Sequence, residues 1–122
     1  MSPTKKNIDI NTIYNQLISI LEARKIASTD QSYIATLYQR GLNTILKKVG
    51  EESTEFVLAA KDFEKLGLAE TQNELIHESA DLWFHSLVAL VHLNISPDQV
   101  WQELEKRFSQ SGLEEKASRR HK

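Results

Sequence analysis

Four glycines and two prolines in 122 residues leave this chain few places to break a helix. β-Branched residues do not alternate with polar ones, so the apolar pattern has the helical period and not that of a strand. Ile10, Ile13, Tyr14, Leu17, Ile20 and Leu21 mark a first helix, with Asp9 or Asn11 placed to cap it. The polar run KIASTDQS leads to a short helix bearing Tyr33, Ile34, Leu37 and Tyr38, which Gly41 should stop. A long helix is expected from about Leu42 to Lys65, ending near Gly67, on the stripe Leu42, Ile45, Leu46, Val49, Phe56, Val57, Ala60 and Phe63. The next, from Ala69 to Leu93, is apolar over more than half its circumference and should be the most buried. NISPDQ then supplies a break and a start: Ser96 as cap, Pro97 at the first helical position, and Gln99 completing a capping box. The last clear helix presents Val100, Trp101, Leu104 and Phe108.

This reading gives an all-α bundle of four to five helices about a central antiparallel pair, in one domain over residues 1–122. Residues 1–8 and the polar, basic stretch 113–122 are expected to be flexible. So apolar a central helix in so short a chain implies that a partner subunit completes the core. Trp83, Phe84 and Trp101 read as core or subunit-interface residues.

Fifteen basic against 17 acidic residues give no electrostatic reason to expect nucleic acid or a membrane as the main partner. The longest apolar region, residues 82–93, is interrupted by His85, Ser86 and His92 and is too short to span a bilayer. The opening MSPTKKNIDIN lacks the apolar stretch of a secretory signal. Without cysteine there is no disulfide, thiolate zinc site or cysteine nucleophile, and a cytoplasmic location is expected.

The acids are distributed less ordinarily. In KKVGEESTE, Glu52 projects within about 40° of the apolar Phe56, Glu55 lies about 60° from Glu52, and Glu51 a further 40° or so round. They form a ridge beside the buried face, with Lys48 between Glu52 and Glu55 one turn earlier. The following helix repeats the device with Glu78 and Asp81, extended by Glu74 and His85. If the two helices pack antiparallel through Gly67, two i,i+3 acid pairs face each other. Converging carboxylates repel and lose solvation, so they need a proton or a cation. Oxygen ligands favour magnesium, manganese or calcium over zinc or copper, and magnesium leaves positions for water and phosphate. Nearby lysines suit a polyphosphate.

Taken singly, each acid is an ordinary solvated helix residue, Lys47 and Lys48 could be solvated too, and His85 reads first as structural. A di-iron carboxylate bundle wants two Glu-x-x-His motifs from separate helices. This chain has one formal match, Glu74-x-x-His77. A non-enzymatic helical interaction module gives no reason for the acid ridge.

EESTE followed by ESAD resembles the Glu-Glu-x-x-Glu … Glu-x-x-Asp signature of the all-α nucleotide pyrophosphatase (MazG-like) superfamily. SYIATLYQRGLNTILKKVGEESTEFVLAAKD, HESADLWFHSLVALVHLNISPDQVWQELEKR and SGLEEKASR are similar, more narrowly, to the phosphoribosyl-ATP pyrophosphatase family, over about residues 32 to 120. Ile34 departs from the threonine that often follows the Ser-Tyr pair there, and no fused cyclohydrolase domain is evident. The resemblance implies Mg2+-dependent hydrolysis of 1-(5-phosphoribosyl)-ATP by a homodimer, with Mn2+ a second candidate metal. It implies Glu52, Glu55, Glu78 and Asp81 as metal ligands. Glu51 would be an outer ligand or would position or deprotonate the attacking water; Glu51 and Glu52 are thus the catalytic candidates. Lys47 and Lys48 would bind phosphates, with Arg40 a further candidate. A house-cleaning pyrophosphatase of ordinary or modified (d)NTPs would share the acid signature.

Overall fold

A computed structural model describes residues 7–30 and 32–109. The expectations for residues 1–6 and 113–122, and for the SGLEEKASR motif, lie outside the described residues. The described chain forms α1 (Ile10–Ala23), a 3-10 turn (Arg24–Ile26), α2 (Tyr33–Arg40), α3 (Leu42–Leu66), α4 (Ala69–His92) and α5 (Asp98–Phe108). No strand occurs among the described residues. The architecture is all-α, and no helix is long and apolar enough to cross a membrane among the described residues.

Local chemistry sets the boundaries. Asp9, and not Asn11, caps α1: its Oδ1 accepts the Thr12 N–H at 3.3 Å and its Oδ2 the Thr12 hydroxyl at 2.8 Å. The 3-10 turn takes up Lys25 and Ile26, so the connector expected at KIASTDQS is regular in its first two residues. Ser32 caps α2 by accepting the Ala35 N–H at 3.1 Å. Gly41 has φ +96° and ψ −179°, a conformation open essentially to glycine alone, which ends α2 and starts α3 within one residue. Gly67, left-handed at φ +61°, donates its N–H to Phe63 O at 2.8 Å and ends α3. The Thr71 hydroxyl accepts the Leu68 N–H at 3.1 Å at the opening of α4.

The NISPDQ start differs from the expected capping box. Pro97 takes helical angles, φ −58° and ψ −18°, but it has no N–H to offer. The Ser96 hydroxyl accepts from Asp98 N at 3.2 Å, and Gln99 reaches Ser96 O through its backbone N–H at 3.0 Å, so the reciprocal box is not made.

Helices α3 and α4, joined through Gly67 and Leu68, fold back on each other as the most extensively packed pair. The core lies at the α4 C-terminal half, where Val88, Ala89 and Val91 meet Leu21 of α1, Leu37 of α2 and Ile45 of α3. Tyr38 ties this region together: its hydroxyl donates to Leu21 O at 2.9 Å and its ring stacks on His92 with centroids 5.8 Å apart. Burial, helped by the negative charge of Glu22, pushes its phenol up to about 12. Helix α5 is held to α1 by Tyr14, which donates to Asp98 at 2.6 Å and meets Trp101 edge-on at 6.1 Å.

Helix α4 carries more buried residues than any other helix, as its composition implies. Its N-terminal half is nonetheless open, with Gln72, Asn73, Ile76 and His77 exposed. Trp83 is 71% exposed, so it lies outside the core of the chain, and Ile76, Val57 and Leu58 are exposed with it.

Candidate active site

The acids of α3 and α4 meet where the hairpin brings its two ridges together. Glu78 is the one buried carboxylate among the described residues, with 8% of its surface exposed. Loss of solvation comes first among the causes that push its carboxyl from 4.5 up to about 7. Hydrogen bonding with Glu74 and with Glu52 across the helix pair comes next, then repulsion by the same two groups. Carboxylates brought this close repel unless a proton or a cation lies between them. Among the described residues no lysine, arginine or histidine forms an ion pair with Glu52, Glu74 or Glu78. The donor set therefore fits a hard divalent cation: oxygen-rich, with Glu78 buried at its centre and without a cation of its own.

Asp81 lies less than one turn beyond Glu78 and is half-buried. The ligand atoms of His77, Glu78 and Asp81 all fall within 4.8 Å of one another, close enough for one ion. His77 Nε2 stands 3.3 Å from Asp81 Oδ2. Sequence reasoning uses His77 only in the Glu74-x-x-His77 match. The signal that finds it is the i,i+4 spacing of His77 and Asp81, which puts both on one helix face.

The remaining candidates are dispersed around this centre. Glu55 is exposed on α3 and is not among the atoms that converge. Glu51 is also exposed, and Lys48 Nζ stands 3.5 Å from its Oε2. That pairing relieves the crowding of charge in KKVGEESTE by a lysine three residues before Glu51. Lys47 is exposed on the same turn, and Arg40 is exposed at the end of α2. A side chain built at Gly50, between the lysines and the acids, would meet nothing within 4 Å.

His85 does not extend the acid ridge as a ligand. It is buried, with Nδ1 2.8 Å from Asp81 O and Nε2 3.0 Å from the Tyr33 hydroxyl. A carbonyl can only accept, so Nδ1 carries a hydrogen and donates it to Asp81 O, leaving Nε2 to pair with the Tyr33 hydroxyl. Nδ1 is thereby used within α4, and Nε2 joins α4 to α2.

Residues 14–108 match the phosphoribosyl-ATP pyrophosphohydrolase family. A Hydrogenovibrio crunogenus protein named phosphoribosyl-ATP pyrophosphatase is 52% identical over 109 residues, 89% of this chain and 94% of that protein. One of the same name from Methylococcus capsulatus is 51% identical over 108 residues, 88% of this chain and 96% of its own length.

Proposed function

Because the chain belongs to the phosphoribosyl-ATP pyrophosphohydrolase family, we propose that it hydrolyses 1-(5-phosphoribosyl)-ATP to 1-(5-phosphoribosyl)-AMP and pyrophosphate, the second step of histidine biosynthesis. The observation that carries this reading is the identity of about half the residues with proteins of that name over nearly their whole length. The buried Glu78, faced by Glu52 and Glu74 without a cationic partner, supplies a site of matching chemistry.

In this reading Glu52, Glu78 and Asp81 would hold Mg2+, or Mn2+ in its place, and Glu55, exposed one turn along α3, would turn in to complete the set. Bound there, the metal supplies charge neutralisation of the triphosphate and a Lewis acid at the scissile linkage. Lys47 and Lys48 bind the phosphate oxygens, and Arg40 offers a planar fork to the same groups. Glu51 and Glu52 orient a water towards the α-phosphorus and accept its proton. The new bond joins the water oxygen to that phosphorus. The bond to the α–β bridging oxygen breaks, and pyrophosphate leaves with the electron pair.

The enzyme would work in the cytoplasm as a homodimer. The exposed apolar side chains of the α3–α4 pair support this, since Val57, Leu58, Ile76 and Trp83 are surface that a second copy can cover. Pyrophosphate release from phosphoribosyl-ATP, compared with that from ordinary and modified dNTPs in Mg2+ and in EDTA, tests the assignment. Phosphoribosyl-ATP should be the faster substrate, and EDTA should abolish release. Faster turnover of a dNTP would replace the reading with nucleotide house-cleaning.

A further inference from the structure

The carboxylates and lysines account for the phosphate end of a nucleotide and leave its base without a contact. On α4, Glu78 and His85 are seven residues apart, so they project within about 20° of each other and about 10 Å apart along the axis. Glu52 of α3 reaches the first of these positions, and Tyr33 of α2 reaches the second. Asp81 lies between them. Tyr33 therefore stands alongside the acid face, one turn beyond Asp81 and two beyond Glu78.

Its side chain is held there from one end only. The hydroxyl is fixed 3.0 Å from His85 Nε2, and His85 is in turn fixed by the Asp81 carbonyl. The two rings are nearly perpendicular, at 86° with centroids 6.0 Å apart. Because the contact is made through the hydroxyl, the residue remains 52% exposed. Ser32, capping α2 immediately before it, fixes the backbone as well. An aromatic ring anchored at its polar tip and half exposed loses little freedom when another ring stacks on it.

We propose that Tyr33 is the platform on which the purine base of the nucleotide stacks, with His85 as the positioning residue that holds it. The inference rests on the nucleotide-hydrolase reading above. Stacking persists from bound substrate to transition state, so its loss should raise KM and leave kcat nearly unchanged. Tyr33→Leu should raise KM for phosphoribosyl-ATP about tenfold and change kcat less than about twofold. Tyr33→Phe, which keeps the ring and removes its bond to His85, should raise KM only about threefold, the part that positioning by His85 contributes. In calorimetry, Tyr33→Leu should weaken AMP about tenfold and leave pyrophosphate binding as in the wild type.

Circular dichroism and melting establish that both variants are folded. Equal losses in Tyr33→Leu and Tyr33→Phe would overturn the platform, because only the hydroxyl bond to His85 would then matter. Unchanged AMP binding in Tyr33→Leu would overturn it too, while an active wild type kept the enzyme assignment intact. If wild type fails to cleave phosphoribosyl-ATP, that assignment falls. Selective loss of AMP binding in Tyr33→Leu would still support the platform.

Discussion

Between 4.5 and about 7 on the pH scale, Glu78 keeps a proton in the folded chain that the unfolded chain has already released. Its contribution to stability is therefore complete below 4.5 and is lost as the pH rises through about 7. In EDTA, the wild-type melting temperature should fall between about pH 5 and pH 8, and Glu78→Gln should flatten that fall. At the alkaline end the variant should melt above the wild type, since an amide carries no charge to bury. Mg2+ should reverse the order by stabilising the wild type alone. A wild-type profile that rises over this range would contradict the assignment of the buried proton to Glu78. The i,i+3 spacing of Glu52–Glu55 and Glu78–Asp81 is legible in the sequence because helical angles fix which acids share a face. Burial of Glu78 but not of Glu55 is not legible, since it depends on the depth of each residue in the α3–α4 contact. Nor is the diversion of His85 to Tyr33, which comes from another helix.

Helix boundaries are the part of the fold most directly written in the chain, because each depends on one or two residues close by. Asp9, Ser32, Gly41 and Gly67 end or start helices through bonds no more than four residues long. Gly41→Ala should destabilise the protein by about 2 kcal/mol, because its backbone lies where side-chain-bearing residues are strained. Gly67→Ala should cost about 1 kcal/mol for the milder left-handed conformation. No neighbour lies within 4 Å of a side chain at either position, so backbone strain is the whole effect. Gly50→Ala should instead stabilise the protein by about 0.5–1 kcal/mol, since Gly50 is inside α3 with open space around it. Chemical denaturation of the three variants checks this order. Should Gly50→Ala gain stability and still lose activity, close approach of phosphate to that turn would be the reason. The NISPDQ start was less legible: the Ser96 hydroxyl takes the Asp98 N–H, while the Gln99 N–H goes to the Ser96 carbonyl and not to that hydroxyl.

For the molecule as a whole, the imbalance lies between its core and its exposed apolar surface. The core draws together α1, α2, α3 and the end of α4, while Val57, Leu58, Ile76 and Trp83 remain outside it. Light scattering should give twice the 14.0 kDa chain mass, and melting should rise with protein concentration. Trp83→Glu should reduce the mass to that of one chain. The need for a covering surface follows from the apolar circumference of α4, although which residues stay exposed depends on packing beyond one helix.

The central claim is that acids of α3 and α4 converge to serve pyrophosphate release from phosphoribosyl-ATP. It is tested most directly by that assay on wild type, Glu52→Gln and Asp81→Asn across a Mg2+ titration. Wild type should require the metal, and each variant, folded by circular dichroism, should lose about a hundredfold or more in rate. Rates within about twofold of wild type in both folded variants, or wild-type release undiminished by EDTA, would contradict it.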